Sequence, residues 1–220
     1  YVSNFHPSVV RALEYIEQNR LKDGLFIGCD WRDTMEKELG TKPLLTNNAL
    51  LCRVYQQMDA LEKAEHLKEK LVDVLGRGRA LQDYPDAERF DPLGLALAVL
   101  NGVVGFESYS AILTAFSSVD SSFGVTIKCR HNPLNAEEAQ MIEETDGVVV
   151  WPFVVGFVIL ASLKMQHENF AREQFNKLLM LEGFREYYDP RIGKGYGAAE
   201  QLWSATLFMR AKFAINRTFV

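Results

Sequence analysis

The stretch 148–163 constrains this chain more than any other: it is almost purely apolar and contains Trp151-Pro152 near its start. Crossing a bilayer takes about 20 such residues, so the run is too short to span one. A Pro at a first-turn position marks a helix N-terminus instead. A helix apolar on every face has no side to give to water and must be enclosed by other helices. The rest of the sequence provides them. Val9, Val10, Leu13 and Ile16 recur at helical spacing, as do Leu50, Val54, Tyr55 and Met58, then Leu61, Ala64, Leu67, Leu71 and Leu75. Further helical patterns cover 93–100, 111–116, 152–165, 170–181 and 200–215, which makes about nine helices and very little strand. The alternation at 124–127 is too short to assert a sheet.

Apolar helices alternate with charged ones across short turns such as Gln166-His167-Glu168-Asn169, the pattern of stacked helical hairpins. Lys63, Lys68 and Lys70 with Glu62, Glu65 and Glu69 form a mixed-charge face that belongs in an outer, solvated layer. A chain of 220 residues is long enough for one domain with a substantial core, and residues 1–220 are read as that domain.

Composition excludes several function classes. A net charge of −5 with scattered Lys and Arg offers no basic stripe for nucleic acid. Cys29, Cys52 and Cys129 are odd in number and far apart, which fits neither a disulfide framework nor a zinc site, so reduced thiols in a cytoplasmic protein are expected. No signal-peptide pattern is visible at the start. His6, His66, His131 and His167 are scattered, so no metal and no cofactor is expected.

Three long segments without clear helix, 22–46, 117–147 and 183–199, concentrate Gly, Pro, Asp and aromatic residues. Long loops of that composition on a helical scaffold usually carry function. The first contains Asp30-Trp31-Arg32-Asp33-Thr34-Met35. A sugar ring stacks on Trp, hydroxyls bond to Asp and Arg, and one carboxyl is left for proton transfer. A helix-capping Asp beside a salt bridge explains the same residues equally well. The third segment runs from Gly183 through Glu186-Tyr187-Tyr188-Asp189-Pro190 and a glycine-rich turn to Trp203-Ser204-Ala205. Its glycines permit tight turns that bring a carboxylate to the mouth of a bundle, although Asp-Pro also starts turns with no function and Trp203 at helical spacing also fits a core.

Together these segments resemble the six-hairpin glycoside hydrolases. Glu186, Tyr188, Pro190, Gly197, Trp203, Ser204 and Ala205 match, in order, a Glu-x-Tyr-x-Pro run leading to an aromatic-Trp-Ser-Ala helix start. The mannosyl-oligosaccharide glucosidase-like, neutral/alkaline invertase and debranching-type families share this pattern. Trp151-Pro152 is similar to their inner-helix start, and Trp31-x-Asp33-x-Met35 to their acid loop. Gly40, Pro43, Asn48-Ala49-Leu50 and 91–97 follow in family order. Thr46 departs from it, standing where debranching-type relatives have a Glu.

The resemblance implies an all-α (α/α)6 toroid and an inverting hydrolase of a small α-glycoside. Asp33 would be the general acid and Glu186 the general base, with Asp30, Trp31, Arg32, Asn48, Trp151 and Trp203 binding the sugar. Alignment on a Gly-x-Asp pattern would select Asp30 as the acid instead. A closed ring uses twelve helices, more than the sequence shows, so the barrel is expected to be shortened or incomplete. A missing N-terminal segment or a homo-oligomer would complete it. A glycan-binding or regulatory module that has lost turnover is the alternative. The expected partner is a small carbohydrate, without nucleic acid or membrane.

Overall fold

A computed structural model describes residues 2–78, 80–129 and 132–217. Ten α-helices occur among the described residues: α1 (Val2–Asn19), α2 (Glu36–Leu39), α3 (Leu45–Gln57), α4 (Leu61–Leu75), α5 (Pro92–Leu100), α6 (Tyr109–Ser118), α7 (Ala136–Glu144), α8 (Pro152–Lys164), α9 (Glu168–Leu179) and α10 (Leu202–Arg217). Five antiparallel ladders of two-residue strands pin the loops between them.

The apolar run forms α8, with Pro152 at its first position and Trp151 as N-cap. It packs against α5 on one side, α10 on the other and α9 behind. Val154, Val155, Val158, Ile159 and Ala161 are fully buried in consequence. Each such Val or Ile contributes about 1.5–3 kcal/mol of burial. Gly156 permits the close approach of α10, since a Cβ there would stand 2.6 Å from that of Leu207.

The helices form two layers. An inner arc runs α3, α5, α8, α10, each packed on the next, while α4, α6 and α9 lie outside α3, α5 and α8. The outer helix α4 buries Ala64, Leu67, Leu71 and Leu75 against the arc, and its Lys63, Glu65 and Glu69 face water. Among the described residues, no helix is long and apolar enough to cross a membrane.

The inner helices begin at a common rim. The amide of Leu45, first in α3, donates to the Asp83 carbonyl at 2.8 Å. Asp91 caps α5 and also accepts 2.7 Å from the Thr46 hydroxyl of α3. Trp151 at the start of α8 meets Trp203 in the first turn of α10, with ring centroids 5.9 Å apart. Four positive helix ends therefore face the same side, where negative groups are favoured.

Two details depart from the sequence reading. Helix α3 starts at Leu45, ahead of Asn48-Ala49-Leu50. Helix α7 lies inside the segment 117–147, whose sequence shows no clear helical pattern. It is short and mostly polar, with only Glu138 and Met141 buried, so its apolar period is faint. Its visible signal is the Asn135-x-x-Glu138 pattern of a capping box, and the Asn135 side chain does cap it, accepting from the Glu138 amide at 2.9 Å.

Candidate active site

A concave pocket of about 410 Å³ opens at the rim and is lined by both candidate catalytic carboxylates, Asp33 and Glu186, together with Trp31, Arg32, Trp151 and Trp203.

The loop bearing Asp33 is held from two sides. On α3, the Asn47 side chain donates to the carbonyls of Gly28 and Cys29 at 3.0 and 3.2 Å. Asn48 clamps the preceding turn, accepting from the Phe26 amide at 2.8 Å and donating to the Phe26 and Leu44 carbonyls. On the other side Arg32 folds back into the protein. Its guanidinium donates to Asp30 at 2.7 Å and Asp83 at 2.7 Å, and lies 3.9 Å from Asp91. With the Arg32 side chain turned inward, the exposed Asp33 opens a 3-10 turn at the pocket.

This arrangement separates the sequence candidates. Asp30, the alternative acid, is an Arg32 partner with its side chain 1% exposed, and does not line the pocket. Asn48 is fully buried with its amide occupied by main chain, also outside the pocket. Both residues hold the loop, and the sequence signal that drew attention to them came from that structural work. Thr46, the departure from the debranching-type pattern, is likewise buried and bonded to Asp91.

The loop bearing Glu186 is built on Tyr188 and Asp189. Tyr188, fully buried, bridges to Val150 through reciprocal main-chain bonds of 2.9 and 3.0 Å, which sets the loop beside the start of α8. Asp189 accepts from the amide and guanidinium of Arg191 and closes the turn. Burial alone would raise the Asp189 pKa, but the Arg191 bonds outweigh it and hold that carboxyl below the usual range. Glu186 accepts 2.8 Å from the Ala198 amide. Gly197 turns the backbone at φ +67, and a Cβ there would meet the Glu186 carboxylate at 2.6 Å. The glycine is required twice, for its conformation and for the space.

Three tryptophans and Phe153 form the apolar wall. Trp31 stands edge-on to Trp151 at 5.1 Å, and Phe153 stacks on Trp203 at 4.3 Å. Trp203 is 38% exposed and lines the pocket, so it is more than core. The Trp31 indole N–H is buried without a hydrogen-bond partner among the described residues.

Sequence reasoning missed Glu138, which is buried and lines the pocket, and assigned no role to Tyr187, which donates to it. It also missed Cys129 in the pocket wall, a thiol that burial pushes up to about 11 and so keeps neutral at ordinary pH. None of the three cysteines forms a disulfide among the described residues. No group of side chains suited to a metal occurs among the described residues. His131 and the side chain of His6 lie outside them.

Beneath the pocket, burial and the neighbouring Asp91 push Asp83 up to about 6 in spite of its bond to Arg32. Its folded pKa thus exceeds its unfolded one, so unfolding releases a proton between about pH 4 and pH 6. The stability linked to that proton is present at low pH and lost as pH rises through the folded value. Urea titrations of the wild type and Asp83→Asn at pH 4.5 and 7 check this: the wild type should lose ground to the variant as pH rises. Parallel curves would show that Asp83 titrates normally.

No family model matches the sequence, and neither does any curated protein. Solved structures do match. A GH63 mannosylglycerate hydrolase from Thermus thermophilus, in complex with glucose, superposes with a TM-score of 0.59 at 18% identity, over 81% of this chain and 50% of its own. The same enzyme with Tris gives 0.56 at 18%, over 86% and 48%. The fold is that of the six-hairpin glycosidases. An uncharacterised conserved protein of the same organism gives 0.59 at 17%, over 80% and 50%. The chain spans about half the length of these structures. The inner arc of α3, α5, α8 and α10 accordingly matches part of such a barrel.

Proposed function

We propose that this chain carries the catalytic carboxylates of an inverting glycoside hydrolase acting on a small α-glycoside or oligosaccharide. The observation that carries the reading is the pocket itself, in which Asp33 and Glu186 stand with three tryptophans at the rim of a six-hairpin fold. Asp33 is assigned as the acid that protonates the leaving oxygen, and Glu186 as the base that takes a proton from water. In inverting enzymes the two groups act from opposite faces of the ring: the activated water bonds to the anomeric carbon as the glycosidic bond breaks and the leaving oxygen takes the acid's proton.

Trp31, Trp151 and Trp203 are assigned to the sugar's apolar face. Arg32 acts through the loop it anchors, because its guanidinium is engaged by Asp30 and Asp83. Asp30 and Asn48 keep their structural roles.

The mannosylglycerate hydrolase supports the choice of reaction class. Residues 1–220 are read as one domain. Leu202, Met209 and Phe213 are exposed on α10, and further helical hairpins, from additional sequence or a second copy, would pack there to close the ring.

Proton NMR of the first product released from p-nitrophenyl α-glucoside and α-mannoside tests the proposal. The expected product is the β-anomer, with release lost in Asp33→Asn. Initial release of the α-anomer would exclude inversion. Sugar binding without release, read by tryptophan fluorescence, would favour the glycan-binding alternative.

A further inference from the structure

Beside the two candidate catalytic groups, the pocket holds a third carboxyl. Glu138 is 1% exposed, and both of its oxygens are engaged. One accepts the Tyr187 hydroxyl, and the other accepts the Leu134 amide at 2.9 Å. Its own amide is tied to the Asn135 cap, so the side chain leaves α7 from a fixed point in the first turn. Burial and the adjacent Glu138 push the Tyr187 phenol well above its ordinary range, which keeps the hydroxyl protonated and donating.

Tyr187 is the neighbour of Glu186 in the chain, and it is pinned on three sides. Its ring lies 5.5 Å from that of Trp151, its backbone pairs with Tyr196, and its hydroxyl ends on Glu138. Other links between α7 and this loop among the described residues, Lys194 and Tyr196 with Glu137 and Arg191 with Glu144, end on exposed carboxylates. Exposed pairs of that kind contribute about 0–1 kcal/mol each. The Tyr187 to Glu138 bond is the buried link between the two segments, and a bond to a buried carboxylate is worth more than a surface pair.

We infer that Glu138 is a positioning residue: through Tyr187 it holds the 185–198 loop, and with it the Glu186 carboxylate, against α7. The inference rests on Glu186 being the base, but the geometry it concerns can be measured without turnover. The Ala198 amide donates to the Glu186 carboxylate, so hydrogen exchange at that amide reports where the carboxylate sits.

The experiment compares the wild type with Tyr187→Phe, Glu138→Ala and the double variant by NMR-detected hydrogen exchange. Tyr187→Phe removes one hydroxyl and keeps the ring packing, which guards against a Glu138→Ala that fails to fold. Exchange at Ala198 should rise at least about fivefold in each single variant and no further in the double, while the amides of Val155 and Ile159 in α8 keep their rates. An unchanged Ala198 rate in Tyr187→Phe overturns the inference, as does acceleration shared by α8, which would mean general loosening.

Steady-state kinetics on the p-nitrophenyl glycosides give a second readout. Each variant should lower kcat about tenfold or more with KM within about twofold, the behaviour of a misplaced catalytic group. A raised KM at constant kcat would make Glu138 a sugar ligand instead and overturn the inference. Full activity in Glu186→Gln would sink the base assignment, yet the exchange data would still decide whether Glu138 positions that carboxylate.

Discussion

Arg32→Leu should destabilise the fold by about 3–5 kcal/mol, the range seen when one partner of a buried ion pair is removed. The side chain is 5% exposed and faces three carboxylates, Asp30 at 1%, Asp83 at 8% and Asp91 at 0% exposure. Burial by itself would lower the guanidinium's pKa, but Asp91, Asp30 and Asp83 outweigh that effect and hold it charged. Leucine would fill part of the volume and leave three buried acids without a cation. They would have to take up protons or draw in water. Arg32→Lys should recover only part of the loss, because an ammonium cannot form the forked bonds to both Asp30 and Asp83. Equilibrium urea unfolding measures both variants. The deficit of Arg32→Leu should be largest at neutral pH and shrink on acidification as the carboxyls protonate. A loss under about 1 kcal/mol at pH 7 would mean that the acids do not depend on Arg32.

Glu186→Gln should reduce hydrolysis by about 10²–10⁴-fold, the usual contribution of a positioned general base. Glutamine nearly matches glutamate in size, and its carbonyl oxygen still accepts from the Ala198 amide, so the loop should keep its shape. What disappears is the capacity to take a proton from water. Because the aromatic wall of Trp31, Trp151 and Trp203 is untouched, substrate affinity should on the proposed function stay within about twofold while kcat falls. A variant that turns over as fast as the wild type would remove Glu186 from the mechanism.

The helical architecture was legible because its signals are local. An apolar run with a Trp-Pro start predicted α8 within a few residues, and its lack of a polar face predicted that other helices would surround it. The shared pocket of Asp33 and Glu186 was approached through two contiguous motifs, each short enough to read in the sequence. Asp30 stands in the first of those motifs and Asn48 in the Asn48-Ala49-Leu50 match after it, and in the fold both are bonded within the protein, Asp30 to Arg32 and Asn48 to Phe26. Glu138 and Asp83 were not legible. Glu138 meets Tyr187 across 49 positions of sequence, and Asp83 meets Arg32 across 51. Neither pairing has a local period or a characteristic spacing, so only the folded chain brings the partners together. The sequence reading passed over the Asn135-x-x-Glu138 spacing, and even that spacing marks only the start of α7 and not where the Glu138 side chain points.

The common rim at which α3, α5, α8 and α10 begin divides labour along the chain. At the far rim the returns are shorter: residues 58–60 join α3 to α4, 101–108 join α5 to α6, and 165–167 join α8 to α9. At the near rim the returns are long, 76–91, 119–151 and 180–201, and they carry Asp83, Glu138 and Glu186. Exposed positions at the near rim can therefore vary with little effect on how the helices pack, whereas an insertion into a far-rim return would shift one hairpin against its neighbour. On the proposed function, altered specificity is best sought at those exposed near-rim positions while Asp83, Asp91, Glu138, Tyr188 and Glu186, together with Arg32 and Gly156, stay unchanged.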